Sequence, residues 1–525
     1  MKKEVLALSK KDSGKKILLT AVFMVGATLL SKVLGLARDS LLTAFFGAGI
    51  ESDAFNTAST IPTTLFDVVI GGVISATFIP VFNNIMAEKG KKDAMGFVNK
   101  FVTLIVCITV LISIAGILLR EPFVRFMAAG YEPEKQTLAA NLTAIMFPMI
   151  IFTGLAFSFV GLLQSFGEYN IPSIISLVSN AAIILYYVTL GKRFGIYGLA
   201  VTMIIAWSLQ FFIEVPWIKK FGVKFRPDFR FKDKYVLQAL KLAGPMLIAT
   251  WVQPLYTIVN QRLASNIDSA VTYIQQSSRL YLIVTGVVSF VVTNLIFPKL
   301  AQAIADKRDE DAKKLFSTSI RSMFLVILPL MAAFMILSGP VAGMIFGLGK
   351  MTVEGVKIIS VLLKCYSIGM AGLAINEVLS KTFFSMQDSK IPMRNSILSM
   401  VVNIALAYIL FRFLKTNGLA IATACGSICN ALFNAISMGR KHPGMLSKGD
   451  AVTALKVIIA TIVMAAAVYG VYILVSPHFG GLIHNFIGNA LICCISGGAG
   501  IAVYGVLVIL LKIEEITQLL PKRRA

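Results

Sequence analysis

The chain has 525 residues, of which 57% are hydrophobic and only 14% charged, with a formal net charge of +23. A soluble globular domain carries about 25% charged residues, and the apolar runs here reach the roughly 20 residues that cross a hydrocarbon core. The composition excludes a soluble fold and predicts an all-α polytopic membrane protein; a transmembrane β-barrel is excluded because its strands would be short alternating segments.

In chain order, about fourteen helices are predicted, at residues 17–38, 54–86, 97–119, 137–166, 171–191, 197–218, 236–262, 272–303, 317–338, 355–386, 390–414, 418–439, 450–476 and 484–512. Lys2, Lys3, Lys10, Lys11, Lys15 and Lys16 precede the first one, as in a secretory leader. No small-residue cleavage pattern follows and another apolar segment begins soon after, so a retained first helix is expected. Basic residues then mark alternate loops: Lys89/Lys91/Lys92, Lys219/Lys220/Lys224/Arg226/Arg230, Lys307/Arg308/Lys313/Lys314, Lys390/Arg394, Arg440/Lys441 and Lys522/Arg523/Arg524. By the positive-inside rule that side is the cytoplasm, with both termini there. The opposite loops are poorer in basic groups; Glu51 and Asp53 are acidic, and Lys192/Arg193 form a local exception. The positive charge is therefore topological, its expected partner being anionic membrane lipid and not nucleic acid. The six cysteines (Cys107, Cys365, Cys425, Cys429, Cys493, Cys494) fall in apolar runs and are expected to be buried, inert thiols. Cys425 and Cys429 share a helix face, but no His or acid nearby completes a metal site.

The sequence repeats itself. Ile171-Pro172 followed by Gly198-Leu199-Ala200-Val201 is echoed by Ile391-Pro392 followed by Gly418-Leu419-Ala420-Ile421 at the same internal spacing, and Gly72-Val73-Ile74-Ser75 is echoed more weakly by Gly286-Val287-Val288-Ser289. Two related six-helix halves are expected, residues 1–222 and 223–445, inserted in the same orientation as a parallel repeat, with residues 446–525 forming two additional helices.

Charges interrupt the apolar runs. LLSKVLGLARDSLL at 29–42 carries Lys32, Arg38 and Asp39 inside the first helix, where each would cost about 2.5–3.5 kcal/mol at the bilayer centre. Lys32 and Asp39 lie on nearly one face, and Arg38 points elsewhere unless Gly35 permits a bend. One reading places Arg38 and Asp39 at the outer interface with Lys32 snorkelling; the other places them in a water-filled cavity between the halves. Asp67 in helix 2, Gln253, Asn260 and Arg262 in helix 7, Arg279 in helix 8, Lys364 in helix 10 and Glu377 beyond it favour the cavity, because they come from both halves. Cationic groups there suit an anionic head group, above all a phosphate, which Arg grips in bidentate fashion. Soluble-substrate catalysis finds no support: His442, His478 and His484 lie in loops or at a helix start, GLGKMT at 347–352 is not a P-loop, and HExxH and GxSxG are absent.

The stretches SKVLGLARDSLLTAFFGAGIESDAF (31–55) and IPTTLFDVVIGGVISATFIPVF (61–82) resemble the N-terminal signature of the MurJ/MviN lipid II flippases, and SSRL at 277–280 with Phe297-Pro298-Lys299-Leu300 resembles their helix 8 signature. The resemblance implies two six-helix lobes around a cationic cavity, helices 13 and 14 forming a groove for the polyprenyl tail, and a role in peptidoglycan and cell-wall biogenesis and cell shape. It implies a substrate site of Lys32, Arg38, Asp39, Asp53 and Arg279; Asp67, Asn260, Lys364 and Glu377 remain further cavity candidates on the pattern of interrupted apolar runs alone. Its ligand is lipid II, an undecaprenyl-pyrophosphate-linked disaccharide peptide, moved by alternating access in a monomer without a cofactor. One departure stands out: where many members have an Arg pair in helix 2, this chain has Phe66-Asp67, so one pyrophosphate ligand is missing. Positions resembling a sodium site read Asn260, Asn403, Ala407 and Thr423, a weak cation site short of carboxylates, which leaves sodium and proton coupling both open. Three rivals share parts of this logic: a flippase for another polyprenyl-linked glycan, a cation or drug exporter of the same fold, and a membrane-embedded transferase.

Overall fold

The computed structural model describes residues 2–71 and 74–513. Gly72 and Val73 of the weaker repeat and Lys522, Arg523 and Arg524 lie outside the described residues, as do the side chains of the N-terminal lysines and of Gln253. The regular elements among the described residues are all helical. Among the described residues, seven helices are long and apolar enough to cross a membrane, or nine when two bent pairs each count as one span. Their outward surfaces are apolar: Leu118, Val188, Phe413, Ile487 and Ile501 are all more than 70% exposed, which only a lipid solvent tolerates on this scale.

The helices group into two compact units, one of residues to Phe46 and Ile50–Asn266, the other of Gly47–Gly49 and residues from Ile267. The first contains α1 (Lys2–Phe46), α2 (Ile50–Phe66), two π-helical turns (Asp67–Gly71 and Ile74–Phe78), α3 (Ile79–Lys89), α4 (Lys91–Leu118), α5 (Arg120–Met127), α6 (Pro133–Met146), α7 (Met149–Ser165), α8 (Asn170–Thr189), α9 (Gly191–Lys220), α10 (Lys234–Thr250) and α11 (Val252–Ala264). Here α1 lies along α8, α2 along α6, and α9 against both α7 and α8. The sequence groups α10 and α11 with residues 223–445, yet packing breaks at Asn266. The reason is a set of polar ties. The segment leading to α10 runs along α4, where the Asp228 amide donates to Thr103 Oγ1 at 3.0 Å and Lys100 pairs with Asp233 at 2.6 Å. Trp251 Nε1 donates to the Val68 carbonyl at 2.8 Å, an acceptor in the first π-helical turn, and Arg262 Nη1 donates to the Phe126 carbonyl at 2.6 Å. In the same segment, hydrogen bonds from Arg230 hold the Asp228 carboxyl down to about 2.

The second unit contains α12 (Ala270–Ala305), α13 (Asp309–Ile336), α14 (Ser338–Phe346), α15 (Val353–Ser367), α16 (Met370–Ser385), α17 (Lys390–Lys441), α18 (Lys448–Phe479) and α19 (Phe486–Leu510). The C-terminal pair α18–α19 packs on α13 and α14. Asp450, at the N-terminal capping box of α18, receives Arg321 of α13 at 2.7 Å, and Tyr504 of α19 donates to the Leu325 carbonyl at 2.7 Å. Beyond the α16–α17 connection, Lys441 bonds Asp388 at 2.5 Å and so holds its carboxyl below the ordinary carboxylate range. The cysteines, expected in the interior, are half-buried, and Cys494 is exposed. A span's outer face is as apolar as its interior, so a thiol has no reason to turn inward.

Backbone breaks recur at the offset of the sequence repeat. Gly167 (φ 79°) corresponds to Gln387 (φ 59°), and Gly195 (φ 57°) to Lys415 (φ 49°). The α6–α7 pair is bent by 41° and the α15–α16 pair by 42°. At Gly195 ψ is −148° and at Lys415 −128°, a region open to glycine and costing other residues about 1–3 kcal/mol. Packing after the second break needs small residues: a Cβ at Gly372 would lie 2.7 Å from the Ile428 amide nitrogen, so α16 and α17 meet backbone to backbone. Replacing Lys415 by Gly should therefore stabilise the protein by about 1–3 kcal/mol, read as a higher unfolding temperature in detergent, whereas Gly195→Val should lower it.

Candidate functional site

The charged stretch of α1 is resolved by a neighbour that the sequence did not advertise. Arg38 Nε and Nη2 both donate to Asp39 Oδ1, at 3.0 and 2.8 Å, and Nη1 donates to Asn180 Oδ1 on α8 at 3.1 Å. Asn180 Nδ2 in turn donates to the Ser31 carbonyl at 3.1 Å, so one buried amide holds α1 at two points. Arg38 thus folds back onto its neighbour instead of pointing away. A guanidinium has five N–H donors; three are committed here, and the remaining two are available to a ligand. Asp39 is buried and neutralises Arg38 in place. Lys32 is half-buried with no ion pair among the described residues, so net positive charge on this part of α1 comes from Lys32.

Asp53 has a different setting. It is fully buried at the start of α2 with Lys135 Nζ at 3.2 Å, and Tyr131, whose hydroxyl donates to the Asp53 carbonyl at 3.1 Å, also bonds Thr57 at 2.7 Å. Gln261 of α11 donates to Thr57 Oγ1 at 2.6 Å. This network ties α2, α6 and α11 within the first unit. In the second unit Arg279 is half-buried and donates to Gln275 Oε1 at 3.3 Å. Lys364 is exposed, and Glu377 pairs with Lys381 at 2.9 Å. Asn403 is buried with no hydrogen-bond partner for its Oδ1, against Gly426, where an added Cβ would meet the Asn403 Cβ at 2.9 Å. Thr423 donates to its own helix at the Leu419 carbonyl, 2.9 Å away. Asn260 lies half-buried near the end of α11 in the first unit.

The first unit also has an open-sided cavity of about 510 Å³ between α1, α2, α7, α8 and α9. Asp67 reaches it from the first residue of a π-helical turn, a geometry frequent at functional sites. Its walls include Phe66, Phe157, Tyr169, Trp207 and Gln210, and no Lys or Arg is among the described lining residues. Gln210 Nε2 donates to Ser179 Oγ at 2.8 Å.

One turn further along α9, Glu214 was not among the candidates. It is fully buried and neither carboxylate oxygen has a hydrogen-bond partner. In sequence, FFIEVPWIKK (211–220) reads as the basic end of a span, with Glu214 free to meet Lys219 or Lys220. The repeat offset was the usable signal: it aligns Glu214 with Asn434, which accepts from Asn395 at 2.9 Å and donates to Asn376 at 2.7 Å and Asn430 at 3.3 Å. At the same offset the places of Asn376 and Asn395 are taken by Ala156 and Ile175, whose side chains are apolar.

Helices long and apolar enough to cross a membrane, interrupted by ionised side chains, define a class, the multi-pass membrane proteins, in which such residues mark substrate and ion pathways. The profile of the family described as lipid II flippase MurJ matches residues 42–488, and the chain belongs to that family. It is a transporter and not an enzyme, and a multi-pass bacterial membrane protein. A protein named probable lipid II flippase MurJ from Buchnera aphidicola subsp. Acyrthosiphon pisum is 27% identical over 447 residues, spanning 84% of this chain and 88% of the relative. The lipid II flippase MurJ of Burkholderia cenocepacia is 27% identical over 416 residues, 78% and 81% of the two chains. Among solved structures, lipid II flippase MurJ in an inward closed conformation superposes with a TM-score of 0.79 at 23% identity, covering 94% of this chain and 98% of that one. An inward-facing multidrug resistance MATE transporter of the MOP superfamily gives 0.65 at 15% identity, covering 80% and 98%. These likenesses establish a shared fold.

An unpaired buried polar group costs about 1–3 kcal/mol. Glu214→Met should therefore raise the unfolding temperature of the purified protein, and an unchanged or lowered value would mean that the carboxyl is satisfied in the membrane.

Proposed function

We propose that the protein moves lipid II from the cytoplasmic to the outer leaflet by alternating access. The observation that carries this reading is the family match across residues 42–488. In it the chain crosses the membrane fourteen times as two parallel six-helix repeats followed by α18 and α19, with both termini cytoplasmic, and acts as a monomer. Recurrence of the backbone breaks at Gly167/Gln387 and Gly195/Lys415, with bends of 41° and 42°, supports the repeat.

The pyrophosphate–sugar head group is gripped by Lys32, Arg38 and Arg279. Lys32 contributes the uncompensated charge, and the two free N–H groups of Arg38 contribute directed hydrogen bonds to phosphate oxygens. Asp39 and Asn180 act by holding the guanidinium in place, as orienting partners do for other charged ligand groups. Lys32 takes over the task of the helix 2 arginines that Phe66-Asp67 replaces. Asp53, with its carboxylate on Lys135, serves the site by fixing α2 to α6. The polyprenyl tail stays in the bilayer along α18 and α19. An inside-negative potential is worth about 2.3 kcal/mol per charge per 100 mV, which favours outward passage of a net anion without ATP; return of a cation, sodium or a proton, resets the carrier, with Asn403 and Thr423 among the groups it would meet.

In cells depleted of their own flippase, exposure of lipid II to an external probe should recover with the wild-type chain and fall by about tenfold or more with Arg38→Ala or Arg279→Ala, one lost charge-assisted contact being worth at least ~1.4 kcal/mol. Full activity in both variants removes the assigned roles. Unchanged lipid II exposure on depletion, with loss of another polyprenyl-linked glycan at the surface, reassigns the substrate.

A further inference from the structure

We propose that the 510 Å³ cavity of the first unit is a binding site for an organic ammonium group, held by Asp67 and the aromatic side chains around it. Its volume lies within the roughly 300–1,000 Å³ of small-ligand pockets. Asp67 is the one charged side chain among the described lining residues, and no described side chain pairs with it. Phe66 and Phe157 stand with ring centroids 6.1 Å apart, and Trp207 and Tyr169 add two more rings. A carboxylate beside several aromatic faces attracts ammonium ions through charge and ring quadrupoles together. An anion would meet no base there. A neutral sugar would leave the carboxylate of Asp67 uncompensated at membrane depth.

The second unit is built differently at the corresponding places. At the positions aligned with Ala156, Ile175, Gln210 and Glu214 it has Asn376, Asn395, Asn430 and Asn434, amides that bond one another. In the first unit apolar residues stand in two of these places, and Phe157 stands where Glu377 lies in the second. The position of Lys32 adds polarity along α1. Met24 and Thr28 line the cavity, and Lys32 continues the same helix stripe by one turn. An acid inside the cavity and a base just beyond its wall form the pair that a ligand bearing both ammonium and phosphate would read.

Two sources can supply the ammonium: a free amphiphilic cation entering from the bilayer, or an amino side chain on the peptide of a transported head group. The second source rests on the proposed function; the site itself does not. The test is calorimetric titration of the full chain in lipid nanodiscs with benzyltrimethylammonium. Saturable binding is expected, weakened by about tenfold or more in Asp67→Asn and in Trp207→Leu and retained in Asp67→Glu, since one cation–π or ionic contact at a desolvated site is worth that factor. Unfolding temperatures of the variants confirm that they are folded. No saturable binding, equal binding by folded Asp67→Asn, or heat from sodium ions alone overturns the proposal. Competition by a lysine-containing pentapeptide that is lost on Nε-acetylation assigns the site to the head group's peptide, and absence of competition assigns it to a free cation. A chain that binds the probe but fails to expose lipid II refutes the flippase reading and leaves the site standing.

Discussion

The arrangement of the first unit depends on how α1 carries ionised groups through a medium that does not solvate them. The solution is local and then tertiary. Asp39 neutralises Arg38 from the adjacent position, and Asn180 takes one N–H of the guanidinium while returning a hydrogen bond to the backbone at Ser31. Because the amide is itself buried against α1, breaking the contact would strand a donor, an acceptor and a charge together, and the cost of such groups rises steeply in low dielectric. The packing of α1 along α8 follows from that requirement as much as from apolar contact.

The two units solve the same interior problem differently. In the second, four asparagines on α16 and α17 bond one another, with Ser437 and Ser396 accepting further amide hydrogens. In the first, the corresponding wall is partly aliphatic, one carboxyl is left without a partner, and a cavity opens beside it. The same contrast appears in the backbone, where glycine occupies the left-handed breaks of the first copy and Gln387 and Lys415 occupy those of the second.

Position in the chain and position in the fold diverge most at the junction of the units. α10 and α11 follow the basic segment that the sequence reads as a boundary, yet Asp233, Trp251, Gln261 and Arg262 attach them to α4, the π-helical turn, α2 and α5. Hydropathy carries no record of such ties, because each is a single polar contact made by a residue that would look equally reasonable exposed.

Membrane residence and the helical class were legible in the residues themselves, since the length of an apolar run reports a one-dimensional constraint that the bilayer imposes directly. The motif around Lys32, Arg38 and Asp39 also marked a chemically special helix. Which partner each charge takes was settled in three dimensions: Asn180 lies far along the chain from Arg38, Lys135 far from Asp53, and Glu214 is buried where neither carboxylate oxygen meets a donor. Pairing energies at membrane depth are set by distances of a few ångströms between helices, and only the packed structure assigns those distances.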